Sequence, residues 1–152
     1  MDDDRALVAK QLGREPRAFL RVARRCPFGR PAVTQQVAFG NDGQPFPTTF
    51  WLTCPAAVAK VSRLEAGGGV ERWSAAARED RKLAASLAQA NADQRALRPE
   101  LDAGIGGARE HAGSLKCLHA HVAFALARPG YELGERILAE LEPLFPETCC
   151  TG

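Results

Sequence analysis

Cysteine and histidine are concentrated in one short stretch of the chain, residues 116–121, which reads KCLHAH. It contains Cys117, His119 and His121, so it holds one thiol and two of the three histidines among 152 residues. Thiolate sulfur and imidazole nitrogen are ligands that zinc prefers, and a thiol beside an imidazole is also the usual source of a cysteine nucleophile. This stretch is therefore the first candidate for a chemical site.

Two further cysteines each precede a proline, in the pairs Cys26-Pro27 and Cys54-Pro55, and each closes a run with β character. The total of five cysteines is odd, so disulfides within one chain cannot pair them all. The last two cysteines are adjacent at positions 149 and 150 near the end of the chain, and we interpret them as incidental.

The N-terminal third of the sequence predicts a short helix over residues 4–13 and then three strands. The first strand covers residues 17–25, with Leu20 and Val22 facing the core, and the others cover 32–39 and 48–53. The sequence Asn-Asp-Gly at 41–43 is typical of a hairpin turn between the second and third strands. These elements predict a three-stranded antiparallel meander.

The rest of the chain has helical periodicity. We predict helices over 55–65, 70–97, 115–127 and 133–144, with Ser114 as the N-cap of the third. The fold class is therefore α+β, with a small three-stranded antiparallel meander near the N-terminus packed against about four helices. The length predicts a single domain over residues 1–152, with a loose tail at 147–152.

The meander predicts where two of the cysteines lie. Its first and third strands run in the same direction, so Cys26 and Cys54 leave the same edge of the sheet, about 10 Å apart at the backbone. On the helix, Cys117 and His121 are four residues apart and share a face, whereas His119 points elsewhere. We therefore predict a metal site.

The predicted ligands are three thiolates and one imidazole, a combination found in closed tetrahedral zinc sites. An iron–sulfur cluster would span the gap between the two Cys-Pro turns more easily than one zinc ion. His121 is the better-aligned ligand on helical geometry. His119 would then not bind the metal directly, and it would form a hydrogen bond beside the site or act as a proton carrier. The full candidate set is Cys26, Cys54, Cys117, His119 and His121.

Three other interpretations remain open at this stage. The cysteines and histidines could simply be buried core residues. The protein could be an enzyme that uses Cys117 or Cys54 as a nucleophile with one of the two histidines as its base. It could also be an adaptor or a nucleic-acid-binding protein, because six arginines lie between Arg14 and Arg30.

Charge and hydrophobicity indicate the kind of protein and where in the cell we expect it. The net charge of +2 is the small difference between 20 basic and 18 acidic residues, so it indicates no particular partner. No run reaches the roughly 18 apolar residues that span a bilayer. The acidic start, Met-Asp-Asp-Asp, is unlike a signal peptide, and we expect the protein in the cytoplasm.

Five segments of the sequence together resemble the bacterial family catalogued as domain of unknown function 501. The segments are RCPFGRP at 25–31, FPTTFWLTCP at 46–55, SRLE at 62–65, GIGG at 104–107 and KCLHAH at 116–121. The resemblance extends from about residue 13 to 138. It departs at Phe28, where members often have a further cysteine, and at Phe124, where they often have histidine. It implies that these residues belong to one site, and it implies no particular reaction.

Overall fold

The computed structural model of the chain describes residues 3–105 and 114–149. In chain order the elements are α1 (Asp4–Leu12), β1 (Phe19–Arg25), β2 (Pro31–Gln36), β3 (Phe50–Leu52), α2 (Pro55–Ala66), α3 (Gly69–Glu79), α4 (Arg81–Leu97), α5 (Leu118–Ala127) and α6 (Glu132–Leu141). The strands form one sheet in the order β1-β2-β3, and both neighbouring pairs are antiparallel. The predicted α+β class and the three-stranded antiparallel meander are confirmed, and the described part has six helices.

The central strand β2 is buried along nearly its whole length, because it has a neighbour on each edge. The hairpin that follows it turns where the sequence predicts, with Gly43 at φ 77° and its N–H bonded to the carbonyl of Gly40 at 2.9 Å. Glycine suits this position because other residues rarely adopt a positive φ. Strand β1 does not follow the predicted alternation. Its register with β2 shifts three times, and Leu20 is 51% exposed instead of facing the core.

The long helix predicted over 70–97 is in fact two helices, α3 and α4. They are separated by Asp80, whose backbone is extended and whose carboxylate accepts hydrogen bonds from the N–H groups of Lys82 and Leu83. A short acidic side chain satisfies the free N–H groups of a helix start particularly well, so it favours a new helix over a continuous one. The prediction of one helix was wrong because we assigned Asp80 to a solvated face.

The helix predicted to start at Leu115 starts three residues later, at Leu118. Ser114 accepts a hydrogen bond from Lys116 N at 3.1 Å and does not cap the helix. Lys116 adopts φ 64°, and the N–H of Cys117 donates to the carbonyl of Leu115 at 2.8 Å, which closes a tight three-residue turn. Cys117 therefore lies immediately before the helix, in an extended conformation.

Helix α5 is buried on most sides, so it has no extended polar face. The ring of Phe124 meets Phe50 of β3 and Tyr131 edge-on, each at 5.6 Å between ring centres. Gly134 of α6 permits a close approach, since a Cβ there would lie 2.7 Å from the Cβ of Ala125. This packing positions α5, and therefore the histidines in its first half, relative to β3 and α6.

Some predictions fall outside the described residues. They are the second half of the glycine-rich segment, residues 106–107, and the end of the predicted loose tail, residues 150–152. The single domain over 1–152 also stays a prediction. Among the helices that the structure describes, none is long and apolar enough to cross a membrane.

Candidate metal centre

The start of α5 lies against the C-terminal half of α2. The Leu118 N–H donates a hydrogen bond of 2.7 Å to Oε2 of Glu65, which comes from α2. The first N–H groups of a helix lack partners within the helix, and negative charge is favourable there, so this carboxylate caps α5 from outside. The contact holds Glu65 beside Cys117 and His119.

Three side chains converge on one point in this corner. Nδ1 of His119 lies 3.5 Å from Sγ of Cys117 and 3.3 Å from Oε1 of Glu65. Over residues 3–105 and 114–149, these three form the one group of potential metal ligands whose ligand atoms all lie within 4.8 Å of one another. The side chains of His119 and Glu65 are 23% and 25% exposed, so the group is accessible from solvent.

The observed distances fit a tetrahedral zinc site. Bond lengths of about 2.3 Å to sulfur and about 2.0–2.2 Å to nitrogen and oxygen give tetrahedral edges of about 3.5 Å between sulfur and nitrogen and about 3.3 Å between nitrogen and oxygen. The two edges that meet at His119 Nδ1 are 3.5 and 3.3 Å. The third edge, between the Cys117 sulfur and a Glu65 oxygen, is within 4.8 Å, so two of the three edges match the size of the ion.

The charge of the group also favours a cation. The pKa of His119 is raised above its ordinary value, first by its hydrogen bond with Cys117 and also by the negative charges of Cys117 and Glu65, while burial acts in the opposite direction. The neighbours that favour a positive charge on this imidazole would also favour a cation beside it. Metal binding displaces protons from the imidazole and the thiol, as it does wherever histidine and cysteine become ligands.

The geometry is less suited to a cysteine nucleophile with a histidine base. In such a site the thiol and the orienting carboxylate contact opposite nitrogens of the imidazole ring. Here both contact Nδ1, and Nε2 faces the hydroxyl of Ser62 at 3.2 Å. A sulfur and a carboxylate oxygen beside the same nitrogen are instead the arrangement expected of ligands around a common ion.

His121 lies elsewhere, in the core. It is 2% exposed, with Nδ1 at 2.8 Å from the Tyr131 hydroxyl and Nε2 at 3.3 Å from the carbonyl of Leu115. A carbonyl only accepts, so Nε2 carries the hydrogen and Nδ1 accepts from the hydroxyl. The prediction that Cys117 and His121 share a helix face was wrong, because Cys117 lies outside the helix. Both ring nitrogens of His121 have protein partners.

Cys26 and Cys54 are not brought into the group around Cys117. Cys54 is the N-cap of α2 and precedes Glu65 by eleven residues. Because a helix rises 1.5 Å per residue, the two positions are about 16 Å apart along α2. Cys26 lies in the turn after β1 and lines the same small cavity as Cys54. The structure thus divides the predicted ligand set, and metal binding at Cys26 and Cys54 stays a prediction.

The sequence analysis missed Glu65, which belongs to the group, and Ser62, which contacts it through His119. Ser62 and Glu65 lie one helical turn apart on α2, and both belong to the segment SRLE that contributed to the family resemblance. The signal that could have identified Glu65 was its position, as a carboxylate, within a segment that carries the family resemblance.

Most of the arginines between positions 14 and 30 have partners within the chain. Arg25 pairs with Asp4 at 2.7 Å, Arg17 pairs with Asp42 at 2.9 Å, and Arg24 donates to the carbonyl of Leu126 at 3.1 Å. Arg14 lies over the ring of Trp51. These contacts give the arginines a structural role, and nucleic-acid binding stays a hypothesis.

The burial of His121 predicts a pH dependence of stability. Desolvation lowers its pKa to about 4, whereas an unfolded histidine titrates near 6.5. Between these values the unfolded chain binds the proton and the folded chain does not, so the free energy of unfolding falls as the pH falls, by up to about 1.4 kcal/mol per pH unit. We expect a loss of about 2 kcal/mol between pH 6.5 and pH 5 from this residue alone.

Urea unfolding at both pH values, on the metal-free protein and on a His121→Gln variant, measures this loss. The relevant quantity is the difference between the two proteins in how the free energy of unfolding changes with pH. The raised pKa of His119 has the opposite sign, stabilising the fold as the pH falls, and it cancels in the comparison. Equal pH slopes for the two proteins would show that His121 is not kept neutral by burial.

The fold and the site together define a small α+β protein with a solvent-accessible cluster of one glutamate, one cysteine and one histidine. Residues 22–103, more than half of the chain, match the model of the family described as protein of unknown function (DUF501). The chain belongs to this family. The match includes Ser62 and Glu65 and ends before Cys117 and His119. No curated protein and no solved structure matches the chain.

Proposed function

We propose that this protein binds one divalent transition-metal ion through Glu65, Cys117 and His119, and that the preferred ion is zinc. The observation that carries the proposal is the position of Nδ1 of His119, at tetrahedral-edge distances from both the Cys117 sulfur and a Glu65 oxygen. One thiolate, one imidazole and one carboxylate suit zinc. They do not suit an iron–sulfur cluster, which is held mainly by cysteine.

The ligands are held in position by hydrogen bonds outside the cluster. Glu65 accepts from the Leu118 N–H through its second oxygen, and the Ser62 hydroxyl faces Nε2 of His119. When Nε2 donates to Ser62, Nδ1 is left with its lone pair toward the metal position. Such partners orient metal ligands and typically change metal affinity by about 10–100-fold.

Three protein ligands leave one position of a tetrahedral ion for water or another small ligand. Closed structural zinc sites use four protein ligands, whereas catalytic sites commonly use three. The partial exposure of Glu65 and His119 agrees with an open position. We place the protein in the cytoplasm, where reducing conditions keep the Cys117 thiol available for the metal.

Titration of metal-free protein with Co²⁺, a coloured substitute for Zn²⁺, tests the proposal. We expect one equivalent to bind and to give the near-ultraviolet absorption of a thiolate–cobalt bond, which Zn²⁺ then removes. A Cys117→Ser variant should lose this absorption, and a Cys26→Ser variant should keep it. Absence of binding in the wild-type protein, or an unchanged thiolate band in Cys117→Ser, would contradict the proposal.

A further inference from the structure

Three cysteines that play no part in the candidate metal centre line one small cavity. They come from three distant parts of the chain: Cys26 from the turn after β1, Cys54 from the start of α2, and Cys149 from the segment after α6. The cavity has a volume of about 10 Å³, and its other walls include Phe28, Phe145 and Pro146. A space of that size holds at most one water molecule, so the three cysteines surround a single narrow cavity.

The arrangement suits a bond between two thiols better than a metal ion between three. The three sulfurs are not all within 4.8 Å of one another, because the group formed by Glu65, Cys117 and His119 is the one that meets that limit in the described ranges. A disulfide needs only two sulfurs, whose Cα atoms are usually about 4.4–6.8 Å apart. Formation of the bond requires the chain to move at one or both of the two cysteines until their sulfurs meet.

Cys26 and Cys149 are the two that can adjust. Both are partly exposed, and both lie in segments without regular secondary structure. Cys54 is 3% exposed, and its backbone is fixed because its carbonyl accepts from Val58 N in the first turn of α2. An oxidant from solution therefore reaches Cys26 and Cys149 more easily than Cys54.

We propose that Cys26 and Cys149 form a reversible disulfide that fastens the C-terminal segment, residues 142–149, to the turn after β1 when the protein meets a hydroperoxide. The two thiols give up two protons and two electrons. The sulfur–sulfur bond forms, the oxygen–oxygen bond of the peroxide breaks, and the products are the disulfide, one alcohol and one water. This proposal does not depend on metal binding.

The bond would change stability in a measurable way. Cross-linking positions 26 and 149 closes a loop of more than 120 residues, and loops of this length restrict the unfolded chain strongly. We expect oxidation to raise the midpoint of thermal unfolding by about 10 °C and a thiol reductant to reverse the rise. Transient disulfides of this kind are the form in which cytoplasmic proteins use cysteine for redox sensing.

Peptide mapping under non-reducing conditions tests the proposal after treatment of the full chain with one equivalent of hydrogen peroxide. A Cys150→Ser background leaves Cys149 as the only thiol in its peptide. We expect a cross-linked peptide pair containing positions 26 and 149, and Cys117 should stay outside it. The pair and the thermal shift should persist in Cys54→Ser and disappear in Cys149→Ser.

The proposal is overturned if position 149 pairs with Cys54 or with another chain, or if peroxide oxidises the thiols without cross-linking them. It is also overturned if the cross-link forms without a thermal shift, because the segment would then not be fastened. The mapping of the Cys150→Ser protein alone decides the pairing even where a Cys54→Ser variant fails to fold.

Discussion

Replacement of His119 with glutamine is expected to weaken Zn²⁺ binding at least about 100-fold, whereas the same replacement of His121 should leave the affinity within about threefold. His119 presents Nδ1 to both Cys117 and Glu65, so its loss removes one of three ligands. Partners that merely orient ligands already contribute about 10–100-fold, and a ligand should contribute no less. Both nitrogens of His121 are bound within the core, so it has no atom to offer a metal.

Competition with a coloured zinc chelator at pH 7.5 measures both affinities. The two variants are well matched, because they replace the same residue type two positions apart on the same helix. Circular dichroism should first show that both variants fold at this pH. An equal loss of affinity in the two variants, or full affinity in His119→Gln, would contradict the assignment of the ligand.

Replacement of Arg98 with methionine is expected to lower the free energy of unfolding by about 4 kcal/mol. Arg98 is 5% exposed, and its guanidinium group donates to three backbone carbonyls of the loop between β2 and β3: Val37 at 3.0 Å, Phe46 at 2.6 Å and Pro47 at 2.7 Å. Burial lowers its pKa. Methionine fills similar space but leaves the carbonyls without a donor.

Urea denaturation at pH 7 measures the change, and Arg95→Met is the matched control. Arg95 lies three residues earlier at the end of α4 and pairs with Asp102, which is 95% exposed. Exposed ion pairs contribute about 0–1 kcal/mol, so the control should lose no more than that. Similar small losses in both variants would show that Arg98 does not hold the loop in place.

The sheet could be predicted from the sequence because its determinants are local. The Asn-Asp-Gly turn at 41–43 sets the hairpin, and β-branched and aromatic residues mark the two strands beside it. The break at Asp80 was also encoded locally, in a residue that caps helices well. It was missed because the charged residues around it also fit one continuous amphipathic helix.

The site could be predicted only in part. Cys117 and His119 were visible as chemical residue types at close spacing, but their geometry depends on the tight turn at Lys116, which delays the helix by three residues. Glu65 could not be placed beside Cys117 from the sequence, because their proximity results from the packing of α2 against α5. Such contacts between distant segments are decided by the whole core and not by any local pattern.

X-ray absorption of the zinc-loaded protein tests the central claim most directly, because it counts the sulfur atoms bound to the metal. A centre formed by Glu65, Cys117 and His119 predicts one sulfur at about 2.3 Å and the remaining ligands, nitrogen and oxygen, at about 2.0–2.2 Å. Two or three sulfur ligands would indicate that one or both of Cys26 and Cys54 join Cys117 at the metal, and no sulfur ligand would place the metal elsewhere. Either result would contradict the assignment of this centre.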